Sequence, residues 1–371
     1  MSDKKFEIYF DFGSSKIRAG AFSKDNPKET FYFESKFLYD HSSKNFEIQK
    51  IISSLEKSTK EYINDINLMI DSPKMKSIGI SISKKYDGSQ LKKEYIQFLI
   101  QDAKQQILKY HGDQNIIHII IMSHNIDNVE YTILPDDINC NLISLDILFI
   151  CIPKETIEYF KKTFFKFDIS VNKFFCTSYT KSINYKNNFA FADNLLFIDI
   201  GFNKTSVAHY YKNNITFLNA LPIGGNHITK DISKILKVDI DEAESLKLNF
   251  DKNQKLLDDK KISLNLIQQI IFTRIEEILE LSTKFINTDL NSTMLDGYKI
   301  VLIGEGSRIL DNKFKEKISF ANDIDLLEET TADICQSGLK LGEEPNRQEV
   351  VLIKKSKIKQ GFFEKLFHFF N

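Results

Sequence analysis

One unit occurs twice in this chain, and a duplicated unit limits the available folds more tightly than any single motif. Residues 194–211 read NLLFIDIGFNKTSVAHYY. Leu195, Leu196, Phe197, Ile198 and Ile200 suit a buried strand, Asp199 stands at its end, and Gly201 opens a turn. The stretch from Thr205 to Tyr211 alternates as a returning strand. Residues 6–22, FEIYFDFGSSKIRAGAF, repeat the pattern: an apolar strand, Asp11-Phe12-Gly13, small polar residues, a second strand. Aligned on Asp-x-Gly, the two also share a lysine, Lys16 with Lys204. A spacing of 188 residues between Asp11 and Asp199 points to two related domains facing each other. A Gly- and Ser-rich turn aims backbone N–H groups into an anion-binding concavity. An aspartate at each strand end can hold Mg2+ through water. Two such turns would grip the phosphates of a nucleotide; two ordinary hairpins with Asp-x-Gly turns are the alternative.

The remaining pattern fits a reduced, multidomain α/β protein. With 371 residues, 42% hydrophobic and 27% charged, the chain can bury a full core in about two or more domains. Cys140, Cys151, Cys176 and Cys335 lack metal or redox spacing and read as buried cytosolic thiols. No signal peptide or membrane-spanning run is expected. Four arginines and no basic stripe interleaved with aromatics argue against nucleic acid. Strands are expected at 6–11, 17–23 and 31–37, a helical period over 46–70, and a strand at 77–83. A small α/β block follows: a helix at 89–110 capped by Ser89, then strands at 116–122, 128–134 and 145–152. Beyond it lie a helix at 154–166, a segment 172–179 leading to the second hairpin, and a strand at 214–222. Helices follow at 229–236 and 241–249, a loop at 250–261, a helix at 264–288, a strand at 299–303, and a last helix at 331–341.

This order of elements resembles the actin-like ATPases and, within them, the FtsA cell-division family, over nearly the full length. The resemblance rests on Asp11-Phe12-Gly13-Ser14-Ser15-Lys16 and Asp199-Ile200-Gly201 as the two phosphate loops. It rests further on Gly224-Gly225-Asn226-His227-Ile228-Thr229-Lys230-Asp231-Ile232, on Asp241-Glu242-Ala243-Glu244-Ser245-Leu246-Lys247, and on Ile300-Val301-Leu302-Ile303-Gly304. It implies an α/β, actin-like (ribonuclease H-like) two-lobed fold with a nucleotide cleft and an FtsA-type 1C insertion. Subdomain 1A would span 1–76, completed by 331–342; 1C, 77–153; 2A, 154–223, completed by 298–330; and 2B, 224–297. A linker at 343–360 would lead to a membrane-targeting helix at 361–371.

The resemblance also implies the ligands. ATP and Mg2+ would sit on Asp11, Gly13, Ser14, Ser15, Lys16, Asp199, Gly201, Asn203, Lys204, Gly225, Asn226, Glu244, Lys247, Gly304, Glu305 and Gly306, the metal on Asp11 and Asp199 through water. Glu244 and Lys247, three apart, share a helix face that would meet the ribose; a solvated ion pair is the plain alternative. Gly338 matches a glycine where the last helix packs across the hinge. The family's second loop continues G-G-T-x-D, whereas this chain has Phe202, Asn203, Lys204, Thr205 and Ser206. Glu305 replaces a glycine of the adenosine loop. Less room at the phosphates points to nucleotide binding with hydrolysis weak or absent, and the resemblance implies binding and polymerisation more than turnover.

The tail carries its own signal. In residues 361–371, Phe362, Phe363, Leu366, Phe367, Phe369 and Phe370 fall within roughly 160° of a helix, with Glu364, Lys365, His368 and Asn371 opposite. Lys354, Lys355, Lys357 and Lys359 precede it. Such a helix is marginal alone in water and suits an anionic membrane surface; docking on the body is the alternative. The expected protein polymerises on the cytoplasmic face of the inner membrane at the division site. There it tethers the FtsZ ring through the FtsZ C-terminal peptide and meets itself and later division proteins such as FtsN. A PilM-like pilus-assembly protein and a small-molecule kinase of the same fold are the other readings. A kinase needs a carboxylate base, and none stands at 204–206.

Overall fold

A computed structural model describes residues 5–36, 43–131, 134–135, 138–249, 263–289, 298–310, 324–343 and 349–350. The first sheet contains β1 (Phe6–Phe12), β2 (Ile17–Ser23), β3 (Thr30–Glu34), β4 (Asp65–Ile70) and β9 (Ser170–Cys176), in the order β3-β2-β1-β4-β9. A second sheet contains β10 (Asn194–Ile200), β11 (Thr205–Tyr211), β12 (Asn214–Leu221), β13 (Lys299–Ile303) and β14 (Ile324–Leu326), in the order β12-β11-β10-β13-β14. The two are topological copies. In each, the first strand pairs antiparallel with its hairpin partner and parallel with a later strand. The hairpin registers also match: Asp11 faces Arg18 and Asp199 faces Ser206.

The helical period expected over 46–70 is only partly helix. Helix α1 (Lys44–Thr59) buries Ile48, Ile51, Ile52 and Leu55 on one face, each contributing about 1.5–3 kcal/mol when fully buried. Lys60 then turns to φ 57° and donates its N–H to the Glu56 carbonyl, a left-handed cap that ends the helix. Residues 65–70 become β4, inserted parallel between β1 and β9. Apolar spacing alone does not separate a helix from a strand in a short run.

The inserted block forms a sheet of β5 (Lys76–Lys85), β6 (Gln114–Ile126), β7 (Val129–Tyr131) and β8 (Leu142–Pro153), in the order β5-β8-β6-β7. Helix α2 (Lys93–Tyr110) covers one face with Ile96, Leu99, Ile100, Ala103 and Ile107. Ile120, Leu148, Ile150 and Ile152 join the core of the first sheet. Ser89 does not cap α2: the helix starts three residues past Gln90, which bridges to Asn139 instead.

Helices α3 (Lys154–Phe165) and α4 (Thr177–Tyr185) follow β8 and β9, and α8 (Thr331–Glu343) packs on α4 and β2. The segment at 172–179 thus resolves into the end of a strand and the start of a helix. Helices α5 (Gly225–Leu236), α6 (Ile240–Leu248) and α7 (Leu264–Asp289) pack on the far face of the second sheet. At Gly338 an added Cβ would lie 2.6 Å from the Met69 sulfur and 2.8 Å from the Tyr9 ring. The close approach of α8 to the first sheet therefore requires glycine there.

Part of the segment expected as a linker is docked. Glu349 bridges to Ile120 of β6, Val350 donates its N–H to the Ile119 carbonyl, and the Glu349 carboxylate lies 2.7 Å from Nδ1 of buried His118. The expected loop at 250–261 and the amphipathic helix at 361–371 lie outside the described residues.

Candidate functional site

Four carboxyl-terminal strand ends converge on one crevice. Asp11 and Asp199 are the penultimate residues of β1 and β10, Asp71 follows β4, and Gly304-Glu305 follows β13; all line a single space of about 100 Å³. Ligands in open α/β sheets bind at such ends. Of the residues expected from sequence, Asp11, Gly13, Ser14, Ser15, Lys16, Asp199, Gly201, Lys204, Gly304 and Glu305 line this crevice. Gly225, Glu244, Lys247 and Gly306 line an adjoining cavity of about 520 Å³, which shares Ser15, Lys16, Phe202 and Glu305 with the crevice. That volume is within the usual range for small-molecule sites. Asn203 and Asn226 line neither; they hydrogen-bond each other at 2.9 Å and brace the second turn against α5.

Backbone geometry explains the glycines. Gly304 has φ +91°, and a Cβ there would run into the Asp199 carboxylate and the Ile200 carbonyl. Only glycine combines that φ with so close an approach. At the other end of the cavity, Lys247 donates to Glu244 at 2.7 Å, to Thr229 at 2.8 Å and to the Gly225 carbonyl at 3.1 Å. Thr229 also donates to Glu244. Glu244 and Lys247 are buried, so the solvated-pair alternative fails. The pair locks α6 onto the first turn of α5 along the cavity wall.

The crevice is dense in charge, and its charges answer one another. Lys16, Arg18, Lys181, Lys204 and Arg308 stand against Asp11, Asp71, Asp199, Glu305 and Glu329. Arg18 donates to Asp11 at 3.1 Å and, across the crevice, to Glu305 at 2.7 Å; Lys16 reaches the same Glu305 oxygen at 3.4 Å. Lys204 donates to Asp71 at 2.8 Å. Lys181 joins Asp199 and Glu329, each at 2.8 Å. Burial alone would discharge Lys181, but Asp199 and Glu329 outweigh it and raise its pKa above the ordinary lysine value. Burial also opposes the charged form of Asp71, yet Lys204 and the hydrogen bonds from Cys176 and Ser178 hold it below the usual carboxylate range. Asp11 is pushed up by burial, against the pull of Arg18 and of Lys181, whose charge thus reaches both aspartates.

Sequence reading missed Arg18, Asp71, Thr177, Lys181 and Glu329. Two had a signal. Arg18 must face Asp11 once the hairpin closes between Phe12 and Ile17. Asp71 ends an apolar strand just as Asp11 and Asp199 do. Lys181 and Thr177 sit on α4, a helix that polar TSYTKS does not announce, and Glu329 lies in a run with no distinguishing pattern. Phe202 walls both the crevice and the cavity, with the Lys247 ammonium 5.8 Å from its ring centre.

The family model described as cell division protein FtsA matches residues 196–324. The cell division protein FtsA of Agrobacterium fabrum is 22% identical over 240 residues, 60% of this chain and 54% of that protein. FtsA of Streptococcus pneumoniae is 34% identical over 97 residues, 22% of this chain and 21% of that protein. The chain spans about half the length of the first of these relatives. A chain of the PilM-PilN type IV pilus biogenesis complex superposes with a TM-score of 0.61 at 10% identity, covering 88% of this chain and 89% of that one. The fold is that of the actin-like ATPases, and the chain resembles FtsA in sequence.

Proposed function

We propose that this FtsA-like chain is a cell-division scaffold that binds ATP in its crevice and adjoining cavity. It polymerises on the inner membrane and tethers the FtsZ ring by its C-terminal peptide. The observation that carries the reading is the meeting of both Asp-x-Gly turns, Asp11 and Asp199, in one crevice that opens on a nucleoside-sized cavity. The phosphates take the crevice, with Lys16 and Lys204 as their cations, and the adenosine takes the cavity beside Glu244, Lys247 and Gly306. The FtsZ peptide docks on 224–297, within the stretch matched by the family model. The inserted sheet meets neighbouring subunits and later division proteins such as FtsN.

Membrane attachment rests on the sequence of 361–371. Among the described residues no helix is long and apolar enough to cross a membrane. The pilus-assembly reading has the fold likeness behind it and no more. The kinase reading requires a free base; Asp71 is the carboxylate that faces the second turn, and Lys204 holds it charged and paired.

Calorimetry with ATP tests the crevice, and saturable binding is expected. Flotation with anionic liposomes, using the full chain and a chain ending at 360, tests the anchor. Loss of flotation on truncation is expected; equal flotation would remove the scaffold's attachment to lipid.

A further inference from the structure

The fold implies a divalent metal with the nucleotide, and the donor set in this crevice does not fit one. Hydrated Mg2+ is held by carboxylate oxygens turned toward its waters. Here Asp11 accepts from Thr177 on one oxygen and from Arg18 on the other. Asp199 accepts from Lys181, and its second oxygen lies against the Gly304 backbone. Among the described residues no three His, Cys, Asp or Glu side chains are placed to hold a metal ion.

We infer that Lys181 and Arg18 stand in for the divalent cation, so that this crevice binds a nucleoside polyphosphate without metal. The inference rests on the nucleotide-binding reading above. Three observations carry it. Lys181 is buried and bonded at 2.8 Å to Asp199, so a fixed cation already occupies one of the two carboxylates that would face a hydrated metal. Glu329, from the loop before α8, takes a second bond from the same ammonium and is itself held by the Gly304 N–H, so the cation is fixed on two sides. Arg18 is buried in the same way between Asp11 and Glu305. A metal entering this site would have to expel one of these paired cations and leave its charge buried without a partner, which is strongly unfavourable. A polyphosphate faces a smaller cost, because Arg18 and Lys16 can exchange the Glu305 carboxylate for a phosphate oxygen while Arg308 still pairs with Glu305.

The test is calorimetry of the full chain with ATP, once with excess MgCl2 and once with EDTA. The inference expects the same dissociation constant in both. Binding that weakens by about tenfold or more in EDTA overturns it, while leaving the nucleotide reading intact. No binding in either buffer overturns the nucleotide reading and this inference with it. Lys181→Met supplies the mirror case. It uncovers Asp199 and Glu329, so MgCl2 is expected to raise its melting temperature, whereas MgCl2 alone leaves the wild type unmoved. A wild-type melting temperature that rises with MgCl2 counts against the inference. Should Lys181→Met not fold, Lys181→Arg keeps the charge and is expected to bind ATP equally in both buffers.

Discussion

The two hairpins share register, length and lysine, yet they neutralise their aspartates by different means. In the first, the cation is local: Arg18 stands opposite Asp11 on the paired strand. In the second, the matching position holds Ser206, and the cation is borrowed from helix α4 as Lys181. The lysines behave alike. Lys16 reaches Glu305, after β13 of the opposite sheet, and Lys204 reaches Asp71, after β4 of the opposite sheet. Those two strands occupy the same place in the two sheets. The duplication has therefore kept a reciprocal exchange of ion pairs across the crevice. What diverged is the source of the charge that covers each aspartate.

The largest expected effect tests that divergence directly. Arg18→Leu leaves Asp11 and Glu305 facing one another without their shared guanidinium. Breaking a buried pair in this way costs about 3–5 kcal/mol. The equivalent change in the second hairpin, Ser206→Ala, removes an acceptor from Lys204 that Asp71 still holds, and costs about 1 kcal/mol. Urea unfolding of the two variants measures the difference. Equal losses would mean that the two hairpins carry their charge alike, and the asymmetry would fall.

A second difference lies further along the same strands. His209 of β11 occupies the position that Ala21 holds in β2, and burial lowers the imidazole pKa from about 6.5 to about 4. Between those values the unfolded chain binds a proton that the folded chain refuses. Stability from this group is therefore full above pH 6.5 and is lost as pH falls toward 4, by about 3 kcal/mol at most. His209→Gln keeps a partner for Thr216 and is expected to flatten that part of the stability–pH curve. An unchanged slope between pH 6.5 and 4 would show that the second sheet does not titrate through this residue.

The duplicated hairpins were legible in the sequence because their information is local. An apolar run, an aspartate, a glycine and a returning run need no tertiary context, and all four edges of the two hairpins fall where the pattern puts them, within a residue. The Glu244–Lys247 cluster was legible for a related reason: the two share a helix face by spacing alone. Residues 65–70 were harder, since Ile63 and Ile66 continue the period of α1 and only the left-handed turn at Lys60 breaks it. Lys181 and Glu329 could not be read at all. Their meaning depends on where α4 and the loop before α8 come to rest against the second sheet, and nothing in TSYTKS or EETT records that. The same holds for Glu349, whose bond to His118 joins positions 231 residues apart.

The reciprocal lysine exchange gives the finest test, because it predicts two variants that should agree. Across the crevice Glu305 holds Lys16 and Arg18, and Asp71 holds Lys204, so each carboxylate occupies cations that a polyphosphate would use. Glu305→Gln keeps the side chain's size and removes its charge. Burial works against the Glu305 charge, but Arg18, Lys16 and Arg308 outweigh it and hold that carboxylate below the ordinary range, so the charge removed is one present at neutral pH. Freed of that competitor, Lys16 and Arg18 should bind ATP about tenfold more tightly, about 1.4 kcal/mol. Asp71→Asn frees Lys204 in the same sense. Its gain should be smaller, because Asp71 also accepts from Ser178 and Cys176, and the amide replacing it serves those donors less well. Titration of ATP into both variants decides the matter. Tighter binding in both, with Glu305→Gln ahead, means the two turns compete with their own opposite lobes for the same ligand. Tighter binding in one alone would confine that competition to a single turn, and the kinship of the hairpins would then end at their backbones.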